Sequence, residues 1–243
     1  ELSDNLIEQF GRQILVPGID EQGQLNLSKR KVCIIGLGAL GTVASQYLVR
    51  SGIGEIHLID PDHIEESNLH RQINYTLEDV GAFKTEVSKN KLQKINEITK
   101  IISHQTSYKN YLKENANDNF DLVFDCTDNH ENKILSSQLC KKNKIAYISI
   151  SINSTEGIYF SQNYKKDKTS CFACLFPQTD INHRCLNSAM IGPVAGFVTS
   201  LACTKIIFAL ASSSNDLKSE INLIDLLTSD INKLQLADIN CPH

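Results

Sequence analysis

The sequence predicts an α/β fold, a doubly wound and mostly parallel sheet with an antiparallel C-terminal extension, and three observations predict it. Short runs rich in Val, Ile and Leu at 31–35 (KVCII), 56–59 (IHLI), 122–124 and 145–150 (IAYISI) read as strands buried on both faces. Between them, 39–51, 84–98 and 131–142 carry apolar residues at helical spacing, as Val87, Leu92, Ile95 and Ile98 do. Beyond Ser151 this alternation stops, and 157–162 reads as a strand of an antiparallel piece.

The remaining elements follow in order. A cysteine-rich loop is expected over 165–187. Pro193 suits the first turn of a helix whose body, 194–210, is apolar on most sides and is therefore expected to be buried or at an interface. Residues 221–225 and 233–236 read as a closing hairpin. The chain is expected to form one domain over 1–243, with a nucleotide-binding half (1–150) and a second half (151–243).

Of the 243 residues, 41% are hydrophobic and 21% charged, enough apolar material for one large core. A formal net charge of −4 and the lack of a long basic run argue against a nucleic-acid partner. No segment is expected to reach the ~18 to 20 apolar residues of a membrane span, and residues 1–10 lack the pattern of a secretory signal, so a cytoplasmic setting is expected. Glu1 in place of a Met leads to the expectation that residues precede it.

Gly36-Leu37-Gly38-Ala39-Leu40-Gly41 follows the first strand and opens a helix, the context in which glycines let backbone N–H groups approach a phosphate. Asp60 ends the second strand, where a carboxylate accepts both ribose hydroxyls. These features predict a Rossmann-like nucleotide site without separating NAD from ATP. The next segment favours ATP, because Asp62, Asn68, Arg71, Gln72 and Lys84 crowd the phosphate side with polar and cationic groups. A dehydrogenase would need a largely apolar slot for nicotinamide. Taken singly, Arg71 and Lys84 would each read as ordinary solvated residues, and His70 and His130 as hydrogen-bonding or surface residues.

Arg12, the GLGALG turn, Asp60, the run SNLHRQ at 67–72, GAFK at 81–84 and DCTDN at 125–129 together resemble the successive motifs of the bacterial E1-like ThiF/MoeB group. The resemblance runs over almost the whole chain. It implies a homodimer that uses ATP to adenylate the C-terminal glycine of a ubiquitin-like sulfur carrier protein. It further implies that Asn68, Arg71 and Lys84 hold the phosphates and that Asp128 serves Mg²⁺. Arg12 would reach into the site of the other subunit. The physical sense is independent of the family: attack of a carboxylate on the α-phosphate builds negative charge, which fixed cations stabilise. A C-terminal carboxylate is already ionised at neutral pH, so no general base is needed. Asp128-Asn129 would also cap the following helix. Thr127 is expected to take that cap, leaving the Asp128 carboxylate free.

Cys33, Cys140 and Cys203 fall inside apolar patterns and are expected to be core residues. Cys171-Phe172-Ala173-Cys174 has the spacing of one half of a tetrahedral Zn²⁺ site, a zinc-knuckle loop that Cys241 would join. The alternative, a thioredoxin-like redox pair, would require a strand followed by a helix N-terminus at this place. In the family a second Cys-x-x-Cys closes the site, so the fourth ligand is expected just beyond His243. The alternatives are His243 itself or an incomplete site. Cys185 sits in a polar stretch near Arg184, and resemblance to the thiazole-forming branch gives it a candidate covalent role, weighed evenly against a spare loop thiol. The CFACLFP run (171–177) points to the thiazole-type carrier, with the molybdopterin-type carrier or a short peptide as alternatives. An NAD-dependent oxidoreductase and a silent nucleotide-binding partner are the readings outside this class.

Overall fold

The computed structural model of the protein describes residues 3–115, 118–166, 170–176, 189–236 and 241. Two helices, α1 (Asp4–Ile14) and α2 (Asp20–Leu27), precede the alternating units. These are β1 (Lys31–Ile35), α3 (Ala39–Arg50), β2 (Glu55–Ile59), α4 (Lys84–Leu92), β3 (Lys100–His104), α5 (Tyr108–Glu114), β4 (Leu122–Asp125), α6 (His130–Lys142) and β5 (Ala146–Asn153). They are followed by β6 (Glu156–Asn163), the short α7 (Phe172–Leu175), α8 (Gly192–Ala211), β7 (Glu220–Asp225) and β8 (Asp230–Gln235).

The eight strands among the described residues form one sheet in the order β3-β2-β1-β4-β5-β6-β7-β8. The first five are parallel and the last three join antiparallel. β1 pairs with β2 on one side and β4 on the other, so the winding reverses between β1 and β4. In open α/β sheets a crevice opens at the carboxyl ends of the strands at such a reversal.

Each face of the sheet is covered. On one face Ile34, Leu58, Phe124, Ile148 and Tyr159 pack against Ala44 and Leu48 of α3 and Val198, Ala202 and Ile206 of α8. On the other, Ile35, Val123, Tyr147 and Phe160 meet Tyr108, Tyr111, Phe120 and Phe172. Cys33, Cys140 and Cys203 are buried in these cores, as expected.

Several expectations are corrected. The helix predicted over 84–98 ends at Leu92. The Asn96 side chain accepts the N–H groups of Ile98 and Thr99 and donates to the Val49 carbonyl, a local turn that competes with continued helix. β3, α5, α1 and α2 were not predicted, and the loop over 165–187 contains α7. The expectation that no stretch resembles a membrane span fails for α8, which is long and apolar enough by length and composition. That helix packs on α2, α3, β5 and β6, with more than half of the apolar stretch buried, as the reading of 194–210 anticipated.

Candidate functional site

A crevice of about 830 Å³ opens at the carboxyl ends of the parallel strands. At its floor the chain leaves β1 through Gly36, whose φ of +85° is strained for any residue with a side chain. The third glycine is demanded by packing, since a Cβ at Gly41 would lie 1.8 Å from the Gly36 carbonyl oxygen. Gly38 differs. A Cβ there would meet nothing among the described residues closer than 3.8 Å, so its missing side chain leaves room on the ligand side of the turn.

The Leu37 peptide within this turn is held at both ends. Its N–H donates to Asp60 Oδ2 at 2.6 Å, and its carbonyl accepts from the Tyr75 hydroxyl at 3.0 Å. Burial raises the Tyr75 phenol's pKa, keeping it a donor. Asp60 also accepts the Asp62 N–H at 2.8 Å. Burial pushes the Asp60 carboxyl up, while the nearby Lys84 charge and the two backbone N–H groups oppose that shift. The carboxylate predicted to meet a ribose is here a brace for the glycine turn.

Residues 62–64 are zipped to 81–84 by backbone hydrogen bonds from Ile64 to Ala82, Gly81 to Ile64 and Lys84 to Asp62. This pairing sets Lys84 at the start of α4 with its side chain 8% exposed, facing Asp62 at 3.0 Å. A buried cation at a helix N-terminus opposes the helix dipole, an arrangement that an anionic ligand in the crevice would relieve. Arg71 donates from Nη1 to the Ser67 carbonyl at 2.8 Å and to His70 Nε2 at 2.7 Å. His70 Nε2 thus accepts from Arg71 and helps to aim the guanidinium. Asn68 is buried, and its Oδ1 accepts the Glu65 N–H. Gln72 is buried on the crevice wall, and its Oε1 has no hydrogen-bond partner among the described residues, a polar atom left for a ligand.

Opposite in sequence, β4 delivers the loop 126–129. Thr127 does not cap α6; Asn129 does, accepting the Asn132 N–H at 3.0 Å. Thr127 instead donates its hydroxyl and its N–H to Asp125 Oδ1, at 2.6 and 3.0 Å. Asp128 is left exposed on the crevice wall. His130 hydrogen-bonds the Phe176 carbonyl at 2.9 Å.

The crevice thus gathers Gly36, Gly38, Asp60, Asp62, Asn68, Arg71, Gln72, Lys84, Thr127, Asp128 and Asn129. Gly41 lies behind the turn, and Arg12 is exposed on α1, away from this crevice. Thr106, Ser107 and Tyr108, after β3, and Met190, before α8, also line it and were missed. The first three follow from the unrecognised third strand, whose carboxyl end points into the same crevice; Met190 had no local signal.

The sulfurs of Cys171, Cys174 and Cys241 lie within 4.8 Å of one another, with Cys171–Cys174 at 3.6 Å and Cys174–Cys241 at 3.3 Å. Sulfurs around a tetrahedral Zn²⁺ sit roughly 3.8 Å apart, so this donor set fits a zinc ion. A short helix does follow Cys171, but burial and the neighbouring Cys241 push the Cys171 thiol up to about 12. Redox pairs of the thioredoxin kind have a depressed thiol pKa instead. Cys185 and His243 lie outside the described residues.

Comparison with known proteins agrees with this geometry. The adenylyltransferase and sulfurtransferase uba4 of Pyricularia oryzae is 32% identical over 87% of this chain and 45% of its own length. The adenylyltransferase and sulfurtransferase MOCS3 of Culex quinquefasciatus is 30% identical over 97% of this chain and 54% of its own. The chain therefore spans about half the length of the curated relatives it matches. The crystal structure of E. coli MccB with ATP superposes with a TM-score of 0.76 at 27% identity, covering 91% of this chain and 68% of that one. The profile of the ThiF family matches residues 10–243, and the chain belongs to that family.

Proposed function

We propose that the protein uses ATP to adenylate the C-terminal glycine of a ubiquitin-like sulfur carrier protein, acting as a homodimeric E1-like adenylyltransferase. The observation that carries this reading is the convergence of Arg71, Lys84 and Asp128 on one crevice floored by the glycine turn. Relatives named adenylyltransferases and the likeness to MccB with ATP support it.

The nucleotide's phosphates would lie along the Gly36–Gly38 turn, with Asp60 toward the ribose and Asn68, Gln72, Arg71 and Lys84 toward the phosphate oxygens. The carrier's carboxylate oxygen attacks the α-phosphorus, the bond to the β-phosphate oxygen breaks, and pyrophosphate leaves. Arg71 and Lys84 stabilise the charge that builds, and Arg12 of a second copy would add to it. Exposed oxygen donors at Asp128 suit Mg²⁺, which would be held there and would screen the phosphates. Zn²⁺ at Cys171, Cys174 and Cys241 would be structural, tying the loop before α7 to the C-terminal end. Cys185 would be a candidate acceptor of the activated carrier. A cytoplasmic setting, in which thiols stay reduced, suits this cluster.

The carrier's globular part would dock on the outer antiparallel strands, where Leu223 and Leu234 are exposed. The thiazole-type carrier is the first to test. The assay is ATP–pyrophosphate exchange with Mg²⁺, run with thiazole-type and molybdopterin-type carriers, each intact or lacking its terminal glycine. Exchange that requires one intact carrier supports the reading and names the carrier; exchange with a short peptide alone replaces it with peptide adenylation.

A further inference from the structure

Lys133 takes no part in the contacts proposed above, yet its side chain is 3% exposed and faces Asp125, fully buried, at 3.6 Å. Its ammonium also donates to the Ile150 carbonyl at 2.9 Å. A buried ion pair of this kind adds little net stability over an apolar pair, so stability alone is a weak reason for its presence.

The contacts of Asp125 supply another reason. Oδ1 accepts both the N–H and the hydroxyl of Thr127, while Oδ2 accepts the Ser136 hydroxyl at 2.5 Å and the Tyr147 hydroxyl at 3.2 Å. These bonds fix the loop immediately before Asp128. The same loop packs against the glycine turn, where a Cβ on Gly36 would lie 3.2 Å from the backbone of Cys126 and Thr127. The ammonium thus stands behind the carboxylate that shapes the loop, and it ties that loop to the carboxyl end of β5.

We propose that Lys133 is a positioning residue for Asp128, acting through Asp125 and Thr127 to hold the Asp128 carboxylate where it binds the magnesium of Mg·ATP. This rests on the functional reading of the crevice given above. Lys133 itself touches neither nucleotide nor metal. Groups that orient a metal ligand from behind typically change metal affinity about 10–100-fold when removed.

The test is calorimetric binding of ATP to the full chain, with and without Mg²⁺, beside ATP–pyrophosphate exchange. Lys133→Met keeps the stem and removes the charge. It should leave metal-free ATP affinity within about twofold and raise the Mg²⁺ needed for half-maximal binding at least about tenfold. Lys133→Arg should restore most of the loss. Ser136→Ala removes a buried hydroxyl's bond to Asp125 from outside the crevice without disturbing the ion pair and should give the same signature at smaller size, which decides the matter if Lys133→Met fails to fold. An unchanged Mg²⁺ requirement in the folded variants overturns the proposal, even if their melting temperatures fall. A wild-type protein whose ATP binding ignores Mg²⁺, or that gives no exchange with any carrier or peptide, overturns the functional reading instead.

Discussion

In the crevice, the charged groups are held by other parts of the chain before any ligand arrives. Asp60 is fixed by the N–H groups of Leu37 and Asp62, Arg71 by Ser67 and His70, and Asp125 by Thr127, Ser136 and Tyr147. In the thiol cluster, three like groups face one another, and burial raises the Cys171 thiol. The first is a set of charged groups held in place by the protein's own hydrogen bonds, the kind of preorganised surface that suits charge stabilisation. The second is an arrangement whose ionised form would call for a cation, and under the proposal above its contribution would be to folding.

The sharpest break in that comparison is Asp128→Ala. It should lower ATP–pyrophosphate exchange by about 100-fold or more, while the melting temperature stays near wild type because Asp128 is exposed. The glycines sharpen the crevice side. Gly41→Ala should abolish ATP binding and cost roughly 3 kcal/mol of stability in chemical denaturation, because its Cβ collides with the Gly36 carbonyl. Gly38→Ala should abolish ATP binding with little change in stability, since the added carbon meets no atom among the described residues closer than 3.8 Å. Cys171→Ala should do the reverse of Asp128→Ala: bound zinc and melting temperature fall, while ATP affinity stays within about twofold.

The smallest effect lies away from both sites. Burial pushes the Glu55 carboxyl up, but hydrogen bonds from His57, Lys100 and Lys31 outweigh it and hold the carboxyl at about 2. A depressed carboxyl contributes stability above its unfolded value near 4.3 and loses it as pH falls toward 2. Glu55→Gln should therefore cost about 1 kcal/mol at pH 7, a figure discounted for solvent screening. The difference from wild type, read by urea denaturation, should shrink between about pH 4 and pH 2.

The crevice was legible in the sequence because its parts are local: a glycine turn after an apolar strand, a carboxylate at the next strand's end, a polar run after it. β3 was not, since Lys100 and most of Lys100–His104 lie at a half-buried sheet edge and lack the continuous apolar run that marked β1 and β5. With it went Thr106, Ser107 and Tyr108. The cap of α6 was misplaced because Thr127, Asp128 and Asn129 are all competent caps, and the choice was made by Asp125, whose contacts with Ser136 and Tyr147 come from other elements. Lys133 was invisible for a like reason: on a polar helix nothing in the sequence distinguishes a buried lysine from a solvated one. The pairing of Cys171 and Cys174 was legible from spacing, whereas the approach of Cys241 needed the fold or the family resemblance.

β5 is paired along its whole length by β6 on one side and over Ala146–Ser149 by β4 on the other. It is a seam rather than a border. The boundary near residue 150 that the sequence invites one to draw would, if cut, strip one strand edge of its partners and bare Tyr147, Ile148 and Ile150, all fully buried. A fragment ending there is expected to aggregate rather than fold as a free-standing nucleotide binder. Anyone grafting a different recognition surface beside the proposed nucleotide site would therefore do better to vary β7 and β8 than to exchange everything after the parallel half.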